Sequence, residues 1–250
     1  MKWNIIENEL YRDFGYSPQN FNYRVEHVFH SISNVVKHGR KVLIITYFYG
    51  EGKPEVDGIL GSIALILVFK NMGLKSTIIS TREVISSIAS AVKALDLNIL
   101  KNSGLSLHVI PKDYDKVVRM SFNVLVKNKP DIVFSIGRNS RLKPLNIIVN
   151  LIVKTDIPHY AISKLGYETY SMETLQYPIV NLALYALGNA LAAKFTGKPL
   201  YNSFIEKRLY EKLVPKTLQP YYVYISGSGK MEVDIDFILS KIERINNLVV

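Results

Sequence analysis

Two carboxylic acids that stand close together, Glu55 and Asp57, precede an apolar segment with helical character. A carboxylate in such a position can accept a proton from a substrate amine or hold the amine as an ammonium ion. Gly58 and Gly61 follow, and glycine lets a ligand or another backbone come close. Free N–H groups at a helix start also favour an anion. The segment therefore predicts a site for a small acidic molecule. Asp57 as an ordinary N-cap of the next helix explains the same pattern.

The loop with these residues lies between a predicted strand and a predicted helix. Lys41 to Phe48 is a β-branched run typical of a core strand, and Gly58 to Met72 has the composition of a buried helix. Further strands are predicted at Ser76 to Ser80, Leu105 to Ile110, Ile132 to Ile136, Pro158 to Ser163 and Tyr221 to Ile225. Helices are predicted at Tyr23 to Lys37, Arg82 to Leu95, Tyr114 to Lys127, Leu175 to Phe195, Ser203 to Leu213 and Asp234 to Ile245. This alternation predicts a parallel sheet covered by helices, in which ligands bind beyond the carboxyl ends of the strands.

Composition favours one globular domain over residues 1–250. The chain has no linker, internal repeat or low-complexity segment, and 48% of its residues are hydrophobic. It has no cysteine, which excludes disulfides and thiolate chemistry. The longest apolar run, Ile59 to Phe69, is shorter than the about 20 residues that cross a bilayer. No apolar signal segment follows the charged N-terminal stretch, so we expect a cytoplasmic protein with no membrane partner.

The formal net charge of +10 is compatible with nucleic acid or with a small acidic partner. The basic residues are dispersed, and no run of like charges or recognition motif accompanies them. We therefore expect a small acidic substrate or ligand, and keep a basic nucleic-acid-associated protein only as an alternative motivated by charge. The sequence leaves homo-oligomer formation open.

Several segments, in order, match the signatures of one known family. Pro54 to Leu65 resembles its Glu-Thr-Asp-Gly-Pro-x-Gly-Ala motif, and Thr46 and Phe48 stand where the family has Thr-Gly-Phe. Pro130 to Arg141 resembles its Pro-Asp and Ile-Glu-Arg-Pro-Gly-Arg segment. Ile225 to Gly227 and Val233-Asp234 resemble, in weakened form, the two Val-Asp-Gly turns near the end of the family's sequence. Over nearly the whole chain the sequence thus resembles the D-glutamate cyclase C-terminal domain family.

The resemblance implies a fold and a reaction. The implied fold is an α/β, Rossmann-like three-layer sandwich with a mostly parallel central sheet, and the implied reaction converts D-glutamate to 5-oxo-D-proline and water. The implied catalytic residues are Asp57 and Glu55. The implied substrate-binding residues are Gly58, Gly61, Arg138, Arg141, Glu168 and Asp234.

A division of roles between these residues follows as a hypothesis. Asp57 or Glu55 binds or deprotonates the substrate amine, and the N–H groups of Gly58 to Gly61 hold one substrate carboxylate. The other carboxylate is held by cations near the second motif, since arginine binds a planar carboxylate through two hydrogen bonds. The candidate cations are Arg138 and Arg141, with Lys143 or Lys164 nearby. Solvated loop charge is the alternative interpretation of the arginines.

The chain also departs from the family pattern. Gly137 stands at the position of the family's glutamate, and near Ser163 to Glu168 only Gly166 and Glu168 remain of a glycine-rich stretch. These losses favour a catalytically inactive relative that binds a small anion. The retained Glu55 and Asp57 favour a diverged lyase that acts on D-glutamate or a related amino-diacid.

The sequence contains no clear metal site. His27 and His30 are one turn apart on a predicted helix, next to Glu26, and such a spacing can bind a metal ion. A metal site takes three or four ligands, and no further ligand is evident. We interpret these histidines as residues of a helix surface. No cofactor is indicated, and the need for a divalent metal stays open.

Overall fold

The computed structural model describes residues 1–16, 24–36, 40–47, 53–95, 104–137, 143–165, 173–225 and 229–250. The strands in these ranges are β1 (Lys41–Tyr47), β2 (Lys75–Ser80), β3 (Leu105–Val109), β4 (Ile132–Gly137), β5 (His159–Lys164), β6 (Glu173–Tyr177), β7 (Tyr222–Ile225) and β8 (Gly229–Glu232). The helices are α1 (Trp3–Tyr11), α2 (Val25–Val35), α3 (Ile59–Asn71), α4 (Arg82–Ala94), α5 (Tyr114–Phe122), α6 (Lys143–Val153), α7 (Val180–Thr196), α8 (Ser203–Leu213) and α9 (Ile235–Val249). A π-helical turn, Asn123–Lys127, continues α5.

Six strands form one parallel sheet in the order β3-β2-β1-β4-β5-β6. The prediction of a Rossmann-like α/β sandwich with a mostly parallel sheet is confirmed. The strand order reverses between β1 and β4, which pair from Val42↔Ile132 to Tyr47↔Gly137. In sheets of this kind such a reversal opens a crevice at the carboxyl ends of the strands. Strands β7 and β8 form a separate antiparallel hairpin.

Alternate residues of the strands face two different helical layers, as the two-residue period of a strand requires. Ile44 and Phe134 face the larger core, which α3 and α7 occupy at its centre. Leu43 and Val133 face a smaller core under α5 and α6. Helix α3 is apolar nearly all round and is buried from Ile59 to Phe69, as expected for a central helix. In the part of the chain that the structure describes, no helix combines the length and apolarity needed to cross a membrane.

One predicted boundary is wrong. The helix predicted from Leu175 to Phe195 is two elements, strand β6 followed by helix α7. Pro178 separates them, because proline disfavours helical backbone in the residue before it and has no N–H to donate. The run stays apolar on both sides of Pro178, and its β-branched and aromatic residues did not reveal the change from strand to helix. Helices α1 and α6 and strand β8 were not predicted.

Gly61 is where α3 and α7 come closest. A Cβ atom at this position would lie 2.4 Å from Leu184 Cδ1 and 2.7 Å from Asn181 Oδ1. Gly188, which lies further along α7, has ordinary spacing, since its Cβ would lie 3.5 Å from Leu65 and from Val68. The first glycine is therefore required by packing, and the second is not.

We expect Gly61→Ala to lower the free energy of unfolding by about 1–3 kcal/mol, because the added methyl overlaps α7. Gly188→Ala is the matched control, and we expect it to stabilise the protein by about 0.5–1 kcal/mol, as alanine does in a helix interior. Urea unfolding of both variants checks this pair. Equal effects of the two substitutions would contradict the packing described here.

A buried glutamate joins α1, α2 and β6. The Glu7 carboxylate accepts a hydrogen bond from the Val25 N–H at 2.6 Å, at the start of α2. It also accepts one from the Tyr177 hydroxyl at 3.3 Å, at the end of β6. Burial raises the pKa of Glu7 to about 7, against these hydrogen bonds and the nearby Arg24 charge, which lower it. Glu7 therefore titrates near neutrality.

This raised pKa makes folding stability depend on pH. An acid with a higher pKa in the folded state than in the unfolded state loses stability as pH rises between the two values. For Glu7 the window runs from 4.5 to about 7, and the loss reaches about 3 kcal/mol. We expect Glu7→Gln to remove this part of the pH dependence, measured as urea midpoints at the two ends of the window. Glu211→Gln, on the exposed face of α8, is the control, and an unchanged pH profile in Glu7→Gln would contradict the assignment.

Candidate functional site

Lys164 brings the two predicted catalytic carboxylates together. It is the last residue of β5, and its Nζ donates a hydrogen bond to Glu55 Oε2 at 2.7 Å. The same Nζ lies 3.4 Å from Asp57 Oδ2 and donates to the Tyr222 carbonyl oxygen at 2.8 Å. The side chains of Lys164, Glu55 and Asp57 are only 3%, 4% and 0% exposed. They form a sealed group of charges, which we call the Lys164 cluster.

Asp57 is held by the start of helix α7. Its Oδ1 accepts a hydrogen bond from the Asn181 N–H at 2.7 Å, and its Oδ2 accepts one from the Val180 N–H at 3.2 Å. A carboxylate at this position satisfies N–H groups that the helix leaves free and interacts favourably with the helix dipole. Gly58 occupies the N-cap position of α3. The alternative of an ordinary N-cap is therefore wrong, because Asp57 caps α7 and not the helix that follows it.

Gly58 and Gly61 are bound by Asn181. Asn181 Oδ1 accepts hydrogen bonds from the N–H of Gly58 and, at 2.9 Å, from the N–H of Gly61. The N–H groups of Ile59 and Leu60 bond to the Val56 carbonyl oxygen. The N–H groups that we expected to hold a substrate carboxylate are thus satisfied from within the chain. Gly58 has a φ of 84°, a left-handed conformation that favours glycine.

Sequence reasoning missed Asn181, although a signal was present. Asn181 is a polar residue at the start of a long apolar run, and it is completely buried. Buried polar side chains are hydrogen-bonded, so an asparagine in such a run indicates a specific partner. Its Nδ2 donates to the Val56 carbonyl oxygen at 3.2 Å and to the Tyr221 hydroxyl at 2.7 Å.

A further buried carboxylate, Glu206, is linked to the Lys164 cluster through Tyr221 and Asn181. Glu206 accepts hydrogen bonds from the hydroxyls of Tyr221, Tyr185 at 2.7 Å and Tyr201 at 2.5 Å. Burial raises the pKa of Glu206, and the three hydroxyls oppose this by stabilising the charged form. The chain thus surrounds this carboxylate with donors rather than with a cation.

The two acids of the Lys164 cluster are faced by two cations, Lys164 within the cluster and Lys230 beside it. Burial raises the pKa of Asp57, against Lys164 and the α7 N–H groups, which lower it. Burial alone would lower the pKa of Lys164, but the Asp57 and Glu55 carboxylates outweigh it, and the pKa lies above its ordinary value. Lys230, on strand β8, adds a second cation 3.2 Å from Glu55 Oε1, and its side chain is 32% exposed. Lys230 is therefore the member of this group that reaches solvent.

The other predicted site residues have different positions. Asp234 is exposed and caps α9, where it accepts a hydrogen bond from the Asp236 N–H at 2.8 Å. Arg138, Arg141 and Glu168 lie outside the described residues. Lys164 was expected to hold a substrate carboxylate together with the arginines, and it instead pairs with the chain's own acids. Lys143 begins α6, and its side chain lies outside the description.

Within the described ranges, no three side chains of histidine, cysteine, aspartate or glutamate are grouped to hold a metal ion. His27 and His30 are exposed on α2, and His30 Nε2 lies 3.7 Å from Glu26 Oε1. This agrees with their interpretation as residues of a helix surface.

Comparison of the sequence with family models gives no match, and comparison with curated proteins also gives none. The functional conclusion therefore depends on the chemistry of the site. An ammonium held between two carboxylates in a buried place is a group through which protons can be exchanged. It lies at the carboxyl end of β5, which is the neighbour of β4 in the sheet, and the strand order reverses between β1 and β4. A ligand is expected beyond the carboxyl ends of the strands at such a reversal.

We expect Lys164→Met to lower the free energy of unfolding by about 3–5 kcal/mol at neutral pH, because it leaves buried carboxylates without a counter-charge. The loss shrinks as pH falls, since a protonated carboxyl needs no cation. Lys230→Met is the control, with a loss below about 1 kcal/mol expected for a partly exposed pair. Urea unfolding across pH checks both variants, and equal losses would contradict the distinction between them.

Proposed function

We propose that this protein is a diverged lyase of the D-glutamate cyclase type. The substrate is D-glutamate or a related amino-diacid, and the product is a cyclic lactam, 5-oxo-D-proline in the case of D-glutamate, formed with loss of water. The observation that carries the proposal is the Lys164 cluster. Glu55 and Asp57, the two residues that the family resemblance selects as catalytic, meet one buried ammonium at the carboxyl edge of the sheet.

The chemistry of lactam formation fits these groups. The substrate amine attacks the side-chain carboxyl, a C–N bond forms, and the C–OH bond breaks to release water. The substrate ammonium must lose two protons on its way to the lactam nitrogen, and the departing carboxylate oxygen must gain two to leave as water. In the proposal Glu55 or Asp57 accepts each proton from the nitrogen. The Lys164 ammonium passes a proton to the departing oxygen and regains it from the acid, so the cluster returns to its starting charge. Holding the substrate bent contributes much of the acceleration, on the order of 7–11 kcal/mol in the best intramolecular cases.

Substrate entry would take place beside Lys230. This side chain pairs with Glu55 Oε1 at 3.2 Å, and it also contacts Gln219 Oε1 at 3.1 Å and the Tyr222 ring at 3.6 Å. A substrate carboxylate that pairs with Lys230 would release Glu55 from one of its two cations. Asp57 would stay bound to α7, so Glu55 would be the acid that this exchange frees to accept the amine proton.

The second candidate function is binding of a small anion without turnover. It is favoured by the pairing of Asp57 and of the Gly58 and Gly61 N–H groups within the chain. It is also favoured by Gly137, which stands where the family has glutamate. In this case the Lys164 cluster supports the shape of the site, and Lys230 supplies the charge that attracts the anion.

NMR of the purified protein incubated with D-glutamate, L-glutamate and related amino-diacids, with and without divalent metal, tests the proposal. We expect a lactam product from the wild type and from Asp115→Asn, a control on the exposed side of α5. We expect no product from Asp57→Asn or Glu55→Gln, with the fold of each verified by circular dichroism.

Three results would lead to different conclusions. Product from the wild type and loss in both site variants supports the lyase. Ligand-induced chemical-shift changes without product would replace the lyase by the anion-binding function. Product formation by Asp57→Asn and Glu55→Gln at the wild-type rate would overturn the assignment of the site.

A further inference from the structure

The backbone N–H and both side-chain polar atoms of Asn181 make hydrogen bonds. Their partners lie in the segment Val56 to Gly61 or are the hydroxyl of Tyr221. The Asn181 backbone N–H binds Asp57 Oδ1 at 2.7 Å, and its side-chain oxygen binds the N–H groups of Gly58 and Gly61. Its side-chain nitrogen binds the Val56 carbonyl oxygen at 3.2 Å. One buried side chain therefore fixes the loop, the start of α3 and the start of α7 relative to one another.

This set of bonds requires an amide. The side chain accepts hydrogen bonds from two N–H groups at one atom and donates hydrogen bonds at the other, and only asparagine and glutamine do both with neutral groups. An aspartate would lose the donor and would place a further negative charge beside Asp57. A serine hydroxyl is too short to replace both atoms. The requirement is chemical as well as steric.

A hydrogen bond to Tyr221 fixes which way the Asn181 side-chain amide is turned. Its Nδ2 donates to the Tyr221 hydroxyl at 2.7 Å, and that hydroxyl donates to Glu206. Glu206 accepts from Tyr185 and Tyr201 as well, so the Tyr221 hydrogen is drawn toward the carboxylate and its lone pairs face Asn181. A flipped amide would place Nδ2 against the N–H groups of Gly58 and Gly61, which would repel it. The Glu206 group therefore acts on the Lys164 cluster through Asn181.

We propose that Asn181 is a positioning residue for the Lys164 cluster, which it holds in one geometry by binding Asp57, Val56, Gly58 and Gly61 together. The inference rests on the proposed function, because positioning matters to a reaction only if Asp57 and Glu55 take part in it. The Asn181 side chain binds backbone groups and the Tyr221 hydroxyl rather than the substrate or a catalytic carboxylate. Its effect passes through Asp57, Glu55 and Lys164.

Asn189 provides a matched control on the same helix. It is as completely buried as Asn181, and it also uses both side-chain atoms. Its Oδ1 accepts from the N–H groups of Leu200 and Tyr201, and its Nδ2 donates to the Tyr201 carbonyl oxygen at 2.7 Å and to Asn246 Oδ1 at 2.6 Å. Loss of this asparagine damages the fold without touching the Lys164 cluster.

The experiment compares Asn181→Ala, Asn189→Ala and Tyr221→Phe with the wild type in two measurements. The first is kcat and KM for the lactam reaction as a function of pH. The second is NMR titration of the Asp57 carboxyl carbon and of the Lys164 ammonium nitrogen, which needs no substrate. Tyr221→Phe removes one hydrogen bond to Asn181 together with the one that Tyr221 donates to Glu206, and it serves if Asn181→Ala does not fold.

We expect Asn181→Ala to lower kcat by about 100-fold, as small displacements of catalytic groups do, with a smaller change in KM and a displaced pH profile. The titration curves of Asp57 and Lys164 move in Asn181→Ala and, to a smaller extent, in Tyr221→Phe. Asn189→Ala lowers the melting temperature and leaves the titration curves in place.

The failure of this inference is separable from the failure of the proposed function. A wild type without turnover contradicts the lyase, and the two titrations then test Asn181 on their own. Unchanged Asp57 and Lys164 curves in both Asn181→Ala and Tyr221→Phe overturn the positioning role. Equal displacement of the curves in Asn189→Ala also overturns it, since the effect would then reflect general loosening of α7.

Discussion

The ammonium of Lys164 can be buried only because acids and a carbonyl from distant parts of the chain meet it. Moving a charge out of water costs several kcal/mol, which good geometry and full hydrogen bonding have to offset. The partners come from the loop after β1 and from strand β7, and the start of α7 in turn binds Asp57. Displacing any of these elements would leave a charge buried without a partner. The arrangement at this edge of the sheet therefore depends on the pairing of Lys164.

A polar seam extends this constraint along α7. Asn181, Tyr185 and Asn189 are four residues apart and lie on one face of an otherwise apolar helix. Each meets a partner that it needs: the start of α3, Glu206, and the chain that leads to α8. Buried polar networks fix one arrangement when every member is satisfied. The seam thus sets the rotation of α7, which apolar packing alone leaves open because the helix is hydrophobic on nearly all sides.

The alternating strands and helices of the fold could be predicted from the sequence, and so could the two acids of the candidate site, Glu55 and Asp57. Their pairing with Lys164 and the role of Asn181 could not. Apolar runs such as Lys41 to Phe48 and the helix after Asp57 were found because burial leaves a local pattern. Lys164 lies 109 residues from Glu55, and Asn181 lies 123 residues from Gly58. No local pattern records such pairings. The alternative that made Asp57 the N-cap of the next helix was wrong for the same reason, since a capping residue looks alike whether it caps the next helix or a distant one.

Stability alone does not account for the charges of the Lys164 cluster. Well-packed apolar residues in place of a buried ion pair are often neutral or stabilising. Lys241 provides a comparison, because it is also fully buried and pairs with Glu9 at 3.2 Å and Asp13 at 3.0 Å. Those partners lie on or next to α1, and Asp13 is 43% exposed, so this pair closes an outer seam between α1 and α9. The Lys164 cluster instead lies at the carboxyl end of β5, at the side of the sheet where parallel sheets bind their ligands, and this position supports the chemical role proposed for it.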